Sequence, residues 1–220
     1  MARDEYPGAE QFVPEQRNRD DLAMAAADCR GCPLYKDAEH VVFGEGPTDA
    51  RLMLVGESPG RNEDKQGRPF IGDAGKLLER VLEEAGLSRD EVYITNAVKH
   101  IRWSVEDGPG NPKAPGVKHI QACRPWLDAE MQMVTPQRIV ALGTRAARGV
   151  LGQEVTISKS RDQFHTSLWG VEVVVTYHPA AVLRHPVSEE RDRIFERMVE
   201  DLRRAQRPLE GPSPEPELRI

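Results

Sequence analysis

The chain has few of the features that mark membrane, secreted or strongly basic proteins. No apolar run approaches the roughly 18 residues of a membrane span. The amino terminus has no apolar signal core, so we expect a cytoplasmic protein with no membrane partner. There are only three cysteines, and an odd number argues against a framework of structural disulfides. Aromatic residues make up 5% and charged residues 30% of the chain, which is ordinary for a soluble domain.

The chain also has no excess of positive charge, since its net charge is −6. This balance by itself argues against a nucleic-acid partner. However, residues 1–22 carry −3 and residues 207–220 carry −1, so the remainder is close to neutral. A DNA-binding protein needs only a local basic face. Five basic residues in one segment could supply that face or could be a solvated surface: Lys99, Arg102, Lys113, Lys118 and Arg124.

Strand-like and helix-like segments alternate along the chain. Apolar runs predict strands at 51–55, 91–98, 138–142 and 171–176. Helical spacing or composition predicts helices at 21–27, 74–86, 117–133, 144–151 and 189–206. We therefore predict a single-domain α/β fold, a three-layer α/β/α sandwich with a mostly parallel central sheet.

The remaining segments lack such patterns. Residues 1–19 are rich in Pro, Glu and Arg and are predicted to be disordered, and 207–220 are predicted to be a flexible tail, leaving a domain over 20–206. The Gly- and Pro-rich segment 101–116 excludes regular structure, and 153–170 is irregular or antiparallel.

Polar residues follow two of the predicted strands. Residues 56–72 come after the first strand and form a predicted loop with two acids, Glu57 and Glu63, and an exposed-looking Phe70. His178 follows the last strand. Open α/β sheets bind ligands at the carboxyl ends of their strands, so both places are candidate binding sites.

Each of these residues also has a structural interpretation. Phe70 could be a core residue and His178 a lone hydrogen-bonded histidine, and the two glutamates could be solvated loop charges. Asn96 could simply form a turn after its strand. The glycine-bearing turn at residues 56–60 could hold a phosphate, as in a nucleotide-binding protein, although it lacks Gly-x-Gly-x-x-Gly spacing.

The cysteines contain a metal-ligand spacing. Cys29 and Cys32 form a Cys-x2-Cys pair, Cys123 is the third thiol, and His100 is the best candidate for a fourth ligand. Four possibilities remain on spacing alone: a pair without metal, a Cys3His zinc site, an iron–sulfur cluster, and a thioredoxin-type redox pair. No βαβ unit surrounds the pair, which disfavours the last of these.

Several stretches together resemble the iron–sulfur (family 4) uracil-DNA glycosylases. They are Cys-Arg-Gly-Cys-Pro-Leu at 29–34, the glycine-bearing stretch 56–72, Thr-Asn-Ala-Val-Lys at 95–99, Ala-Cys-Arg-Pro-Trp-Leu at 122–127 and Tyr-His-Pro-Ala-Ala-Val-Leu at 177–183. The similarity spans roughly residues 25–205, and the order of the motifs makes it specific. It implies an enzyme that flips uracil out of single- or double-stranded DNA and hydrolyses its N-glycosidic bond. A monomer is the default expectation.

The resemblance also implies residue roles. Glu63 would position the attacking water, Glu57 would line the pocket near the sugar, and His178 would donate to the uracil as it departs as an anion. The implied substrate-binding residues are Gly56, Ser58, Gly60, Phe70 (stacking on the base), Asn96 (reading its Watson–Crick edge) and Arg184 (contacting the DNA backbone or filling the gap left by the base). A structural [4Fe–4S] cluster would be held by Cys29, Cys32, His100 and Cys123.

Two departures from ordinary family 4 members bear on the chemistry. His100 replaces the usual fourth Cys, which looks most like the UdgX branch, whose members become covalently attached to DNA through a histidine in a Lys-Arg-Arg-Ile-His loop. Counting back from Cys123 puts that histidine at Pro112, and the loop 107–113 has no histidine. Ser58 stands where ordinary members have Ala and UdgX has Gln. We expect turnover, with covalent trapping as the alternative and His119 as the nearest substitute nucleophile.

Overall fold

A five-stranded sheet lies at the centre of the computed structural model, which describes residues 6–16, 18–104 and 111–208. The strands are β1 (Leu52–Gly56), β2 (Val92–Asn96), β3 (Arg138–Leu142), β4 (Phe164–Thr166) and β5 (Glu172–Thr176). Their order is β2-β1-β3-β5-β4, with β4 antiparallel to β5 and every other pair parallel. The carboxyl ends of β1, β2, β3 and β5 therefore lie along one edge of the sheet.

Helices cover both faces of this sheet. They are α1 (Arg19–Ala27), α2 (Arg61–Gln66), α3 (Asp73–Ala85), α4 (Val117–Val134), α5 (Thr144–Leu151), α6 (Ile157–Ser160), α7 (Pro179–Arg184) and α8 (Ser188–Ala205). None of the helices in the described ranges has the length and apolar composition needed to cross a bilayer.

Alternation along the strands explains the two layers. In β1, Leu52 and Leu54 join the core under α3 and α8, whereas Met53 and Val55 join the core under α4 and α5. Successive side chains of a strand point to opposite faces, so apolar residues at every position require helices on both sides. The predicted three-layer α/β fold is confirmed.

The prediction of disorder over residues 1–19 is wrong for the part of that segment that is described. The Gly8 N–H donates to the carbonyl of Gly31 at 3.1 Å, and the Ala9 N–H donates to the carbonyl of Ala122 at 2.9 Å. Tyr6, Phe12 and Val13 pack against the cluster that contains the cysteines. The polar composition of the segment conceals these few apolar residues, which are enough to anchor it.

Two predicted loops contain short helices. Helix α2 lies inside the stretch 56–72, and α7 begins directly after His178. Both helices start with residue types that are common at helix amino termini. Gly60 is the residue directly before α2, and Pro179 is the first residue of α7. The segment 153–170 contains α6 and the antiparallel β4, in line with its antiparallel interpretation.

The segment predicted to lack regular structure has no helix or strand in its described parts, 101–104 and 111–116, which are joined by one isolated bridge between Trp103 and Pro112. Residues 107–110 of the predicted loop lie outside the described residues, as do residues 1–5 and 209–220. The flexible tail therefore stays a prediction.

Candidate active site

The candidate site begins where β1 and β2 end side by side. Gly56 is the register partner of Asn96 in the parallel pairing of these strands. The Ala97 N–H donates to the Gly56 carbonyl at 2.9 Å, and the Val98 N–H donates to the Glu57 carbonyl at 3.1 Å. These bonds extend the pairing beyond the strands, so the backbone on both sides of Asn96 is fixed.

The absence of a side chain at Gly56 brings two predicted residues together. A Cβ atom there would overlap both Asn96 Oδ1 and the Cζ edge of the Phe70 ring. Asn96 is 2% exposed, and its Oδ1 has no hydrogen-bond partner. An unpaired buried carbonyl oxygen is costly, so this atom is a sign of a ligand site.

Phe70 is buried rather than exposed, which corrects the appearance of its sequence context. It is 5% exposed and its φ of 53° lies in the left-handed region. Arg89 donates to the carbonyls of Phe70 and Pro69 at 3.1 and 2.7 Å. Gly75 in α3 allows a close approach, because a Cβ there would overlap the Phe70 carbonyl. These contacts hold a strained backbone that turns the ring toward the strand ends.

His178 reaches the same place from β5. Its ring centroid lies 6.0 Å from that of Phe70. Its Nδ1 accepts the Ala180 N–H at 3.1 Å, so the side chain caps α7. Burial, helped by the charge of Arg184, lowers the pKa of His178 to about 4. The neutral ring therefore carries its proton on Nε2, which is left as a donor.

Glu57 directly follows the last residue of β1. Its side chain is 24% exposed, and its Oε1 lies 3.8 Å from the Nε of Arg145. Burial raises the pKa of Glu57, while the charges of Arg145 and Arg184 oppose that rise. Arg145 also donates to the Pro115 carbonyl at 3.1 Å, which links the end of segment 111–116 to the site.

Glu63 is engaged by the backbone. It lies in α2, is buried, and its Oε1 accepts the N–H groups of Ile71 and Gly72 at 3.0 and 2.8 Å. These two residues directly follow Phe70. Glu63 therefore fixes the segment that carries the ring, which the interpretation of a solvated loop charge did not anticipate.

The other predicted substrate-binding residues border the same edge. Ser58 and Gly60 are partly exposed in the turn between β1 and α2. Arg184 is exposed at the end of α7, close enough for its charge to act on Glu57 and His178.

The predicted metal ligands form a second, closed region beside this one. Cys29, Cys32 and Cys123 are free thiols buried in one cluster with Phe43 and Trp126. The Trp126 Nε1–H points to Cys29 Sγ at 3.2 Å, and the Lys99 N–H points to Cys123 Sγ at 3.3 Å. Hydrogen bonds that point to sulfur favour the thiolate that a metal binds.

His100 fits the same region. It is buried directly after Lys99, and burial lowers its pKa to about 4, so the ring is neutral, as a metal ligand must be. Burial raises the pKa of Cys123 to about 12 and also raises the pKa of Cys32. In the described ranges no group of three or more His, Cys, Asp or Glu side chains is arranged to hold a metal ion. Three buried thiols and one buried neutral imidazole are donors that suit a Cys3His zinc site or an iron–sulfur cluster.

Comparison with known proteins places the chain among enzymes of DNA repair. The model of the uracil DNA glycosylase superfamily matches residues 43–203. This range includes β1 to β5 and the strand-end site, by which we mean Gly56, Glu57, Glu63, Phe70, Asn96 and His178. The chain belongs to the uracil-DNA glycosylase superfamily.

Curated relatives within this superfamily are similar along most of their length. The chain is 40% identical to the type-4 uracil-DNA glycosylase of Thermotoga maritima over 76% of this chain and 84% of the relative. It is 39% identical to that of Saccharolobus solfataricus over 77% and 79%. It is 36% identical to that of Archaeoglobus fulgidus over 82% and 92%.

Two residues near the candidate site, Arg145 and Lys99, were not predicted to lie there from the sequence. Arg145 lies in the first turn of α5, directly after β3, so the rule that places sites at strand ends could have found it. Lys99 was assigned to a basic surface, but it is fully buried and its Nζ lies 2.5 Å from Glu130 Oε2. The assignment to a surface is therefore wrong. The sequence could not show this, because nothing around Lys99 indicates an acidic partner 31 residues later.

Proposed function

We propose that this protein excises uracil from DNA: it flips the base into the strand-end site and hydrolyses the N-glycosidic bond, leaving an abasic site. The observation that carries the proposal is the unpaired, buried Oδ1 of Asn96 beside Phe70 and Gly56. The edge of uracil presents an N3–H donor and a carbonyl acceptor, which complement an amide oxygen and an amide N–H. Cytosine presents an acceptor at N3, so an Asn96 oxygen placed to accept the uracil N3–H would face a lone pair there instead of a donor.

His178 stabilises the leaving group. Cleavage of the bond transfers negative charge to the uracil, and a neutral Nε2–H donor next to the base stabilises that charge. The Nδ1 bond to Ala180 fixes the tautomer and the ring direction before the substrate arrives. Phe70 supplies the face on which the base stacks.

Glu57 is the better candidate for the carboxylate that orients water. The resemblance gives that role to Glu63, but one Glu63 oxygen is already held by two backbone amides. Glu57 lies at the end of β1 beside Arg145, with a raised pKa suited to a general base. Either carboxylate would favour positive charge on the sugar.

The buried thiols and His100 would hold a [4Fe–4S] cluster with Cys29, Cys32, Cys123 and His100 as ligands. When bound, the cluster would supply structural cross-linking rather than redox chemistry on the substrate. The chain links it directly to the DNA-facing side, because segment 101–116 runs between His100 and α4. The imidazole ligand is the feature shared with the UdgX branch.

We propose turnover rather than covalent trapping. A covalent bond to the sugar needs a side chain with a lone pair within reach of the cationic carbon. Pro112 has none. His119 is buried in α4, where Nδ1 accepts the Gly116 N–H at 3.0 Å and Nε2 lies 3.3 Å from the hydroxyl of Tyr6. Neither nitrogen is free to attack.

The test uses end-labelled single-stranded and duplex DNA with one uracil, and the same DNA with cytosine at that position. We expect free uracil and an alkali-labile site from the uracil substrates only. Boiling in detergent before electrophoresis should leave no protein–DNA band. A stable slower band would support the UdgX-type alternative, and the absence of uracil release in both substrates would refute the glycosylase assignment.

A further inference from the structure

A buried ion pair lies directly behind the residue that reads the base. The side chains of Lys99 and Glu130 are 1% and 0% exposed, and their charged atoms are 2.5 Å apart. Two buried charges lose their hydration, and their attraction often fails to compensate, so such a pair is weak evidence for stability. Its position needs another explanation.

The hydrogen bonds of this pair converge on the end of β2. Lys99 Nζ donates to the Asn96 backbone carbonyl at 2.8 Å and to Thr95 Oγ1 at 2.6 Å. The Thr95 hydroxyl donates to Glu130 at 2.8 Å. The three N–H donors of Lys99 are therefore all used. One of them binds the backbone carbonyl of Asn96 and so holds the main chain that carries the Asn96 side chain.

Glu130 is fixed from the opposite side. Besides Lys99 and Thr95, it accepts the Gly44 N–H at 3.0 Å and the Tyr93 hydroxyl at 3.1 Å. It also stands in α4, two turns after Cys123. The carboxylate is thus attached to β2, to the segment before β1 and to the helix that carries one cysteine, which leaves it little freedom to move.

We propose that Lys99 and Glu130 are positioning residues that aim the Asn96 amide at the uracil edge. This inference rests on the proposed function. Asn96 Oδ1 has no hydrogen-bond partner, so no bond to that oxygen fixes its direction in the absence of substrate. Its aim then depends on where the backbone sets the side chain, and the pair holds the Asn96 carbonyl and the side-chain hydroxyl of the adjacent Thr95. A displacement of about 1 Å at a reading group can reduce the rate by about 10²-fold.

The main variant is Lys99→Met with Glu130→Gln, which removes both charges and leaves no unpaired ion. We expect kcat/KM for uracil-containing DNA to fall by about 10²-fold, and the affinity for free uracil, measured by equilibrium dialysis, to fall in parallel. Affinity for undamaged DNA of the same sequence should stay within about two-fold, because phosphate contacts dominate it.

The matched control is Arg138→Met with Glu172→Gln. This pair joins the amino ends of β3 and β5, at the opposite edge of the sheet. It should keep the native kcat/KM and uracil affinity. A second test variant, Thr95→Val, preserves shape and leaves both charges in place, so it keeps the proposal testable if the main variant fails to fold. It should show a smaller loss in the same direction.

Three results would overturn the proposal. The first is native kcat/KM and uracil affinity in the folded double variant, and the second is native values in Thr95→Val when the double variant does not fold. The third is a loss of affinity for undamaged DNA as large as the loss of uracil affinity, which would indicate general damage to the fold. The proposed function is scored separately. If the native protein releases no uracil, the glycosylase assignment fails, while the dialysis of free uracil still decides whether the pair aims Asn96.

Discussion

The two regions at the end of β2 are built in opposite ways, although Asn96 and His100 are only four residues apart. The strand-end site leaves polar groups without partners: the Oδ1 of Asn96 is unpaired, and Nε2 of His178 remains as a donor. The cysteine region is closed, with buried thiols, two N–H groups pointing at sulfur, and residues 6–13 packed over it.

The difference suits two different roles: one region binds a substrate that comes and goes, and the other holds the fold together. An unpaired buried atom is tolerated where a substrate will complete it, and the free energy of binding offsets the cost of the empty state. The cysteine region has no such opening, so its ligand would be a permanent part of the fold. The Lys99–Glu130 pair lies between the two regions and contacts both.

The largest expected effect separates the two acids of the strand-end site. Glu57→Gln should slow single-turnover excision by about 10²- to 10⁴-fold, because the general base is lost. Glu63→Gln keeps an oxygen that can accept the amides of Ile71 and Gly72, so it should slow excision by only a few-fold. Rapid-quench measurement of both variants decides between them, and the reverse order of effects would restore Glu63 as the water-positioning group.

The pH dependence sharpens the same assignment. Burial raises the pKa of Glu57, and the base must be ionised to accept a proton. The single-turnover rate should therefore be constant above that raised pKa and fall as the pH drops through it. In Glu57→Gln the slower rate should no longer fall with decreasing pH until the pH approaches the pKa of His178, which is about 4. An unchanged acid limb would show that another group titrates.

Loss of the donor to the departing base should be the next largest effect. His178→Ala is expected to slow excision by about 10²- to 10³-fold, the usual consequence of removing a preorganised donor to a developing anion. His165→Ala, on the edge strand β4, is the control and should remain within a few-fold of the native rate. Unchanged excision by His178→Ala would remove this residue from the mechanism.

Variants of the cysteine region should have the smallest effect on excision, and the measurement that tests this region is its metal content. The purified protein should be brown and contain about four irons per chain. His100→Cys should retain the cluster, and His100→Ala should lose iron faster when a chelator is added. Removal of residues 1–13 should also speed iron loss, because Gly8 and Ala9 cover this region. Stoichiometric zinc in a colourless protein would contradict the cluster.

The sequence allowed much of this fold to be predicted, for identifiable reasons. Runs such as 138–142 are apolar at nearly every position, because both faces of a parallel strand are buried, and β3 has the predicted bounds. The strand-end rule pointed to the stretch 56–72 with Phe70 and to His178, and the family resemblance added Asn96. Such patterns involve residues close together in the chain, so they can be recognised in a single sequence.

What could not be predicted depends on contacts between distant residues. Nothing near Glu63 shows that backbone amides eight and nine residues later would occupy it. The pairing of Lys99 with Glu130 spans 31 residues, and the anchoring of residues 6–13 depends on the shape of the region beneath them. Such contacts are properties of the packed fold, so the sequence pattern indicates the elements but not these partners.

The proposal that the unpaired oxygen of Asn96 reads uracil can be tested by substituting this one residue. Single-turnover excision from a uracil-containing oligonucleotide is measured for the native protein and for Asn96→Ala. We expect rapid release of uracil by the native protein and a loss of about 10²-fold or more in the variant, because a site built to hydrogen-bond its substrate fails when a partner is missing. Excision at the native rate by Asn96→Ala would contradict it.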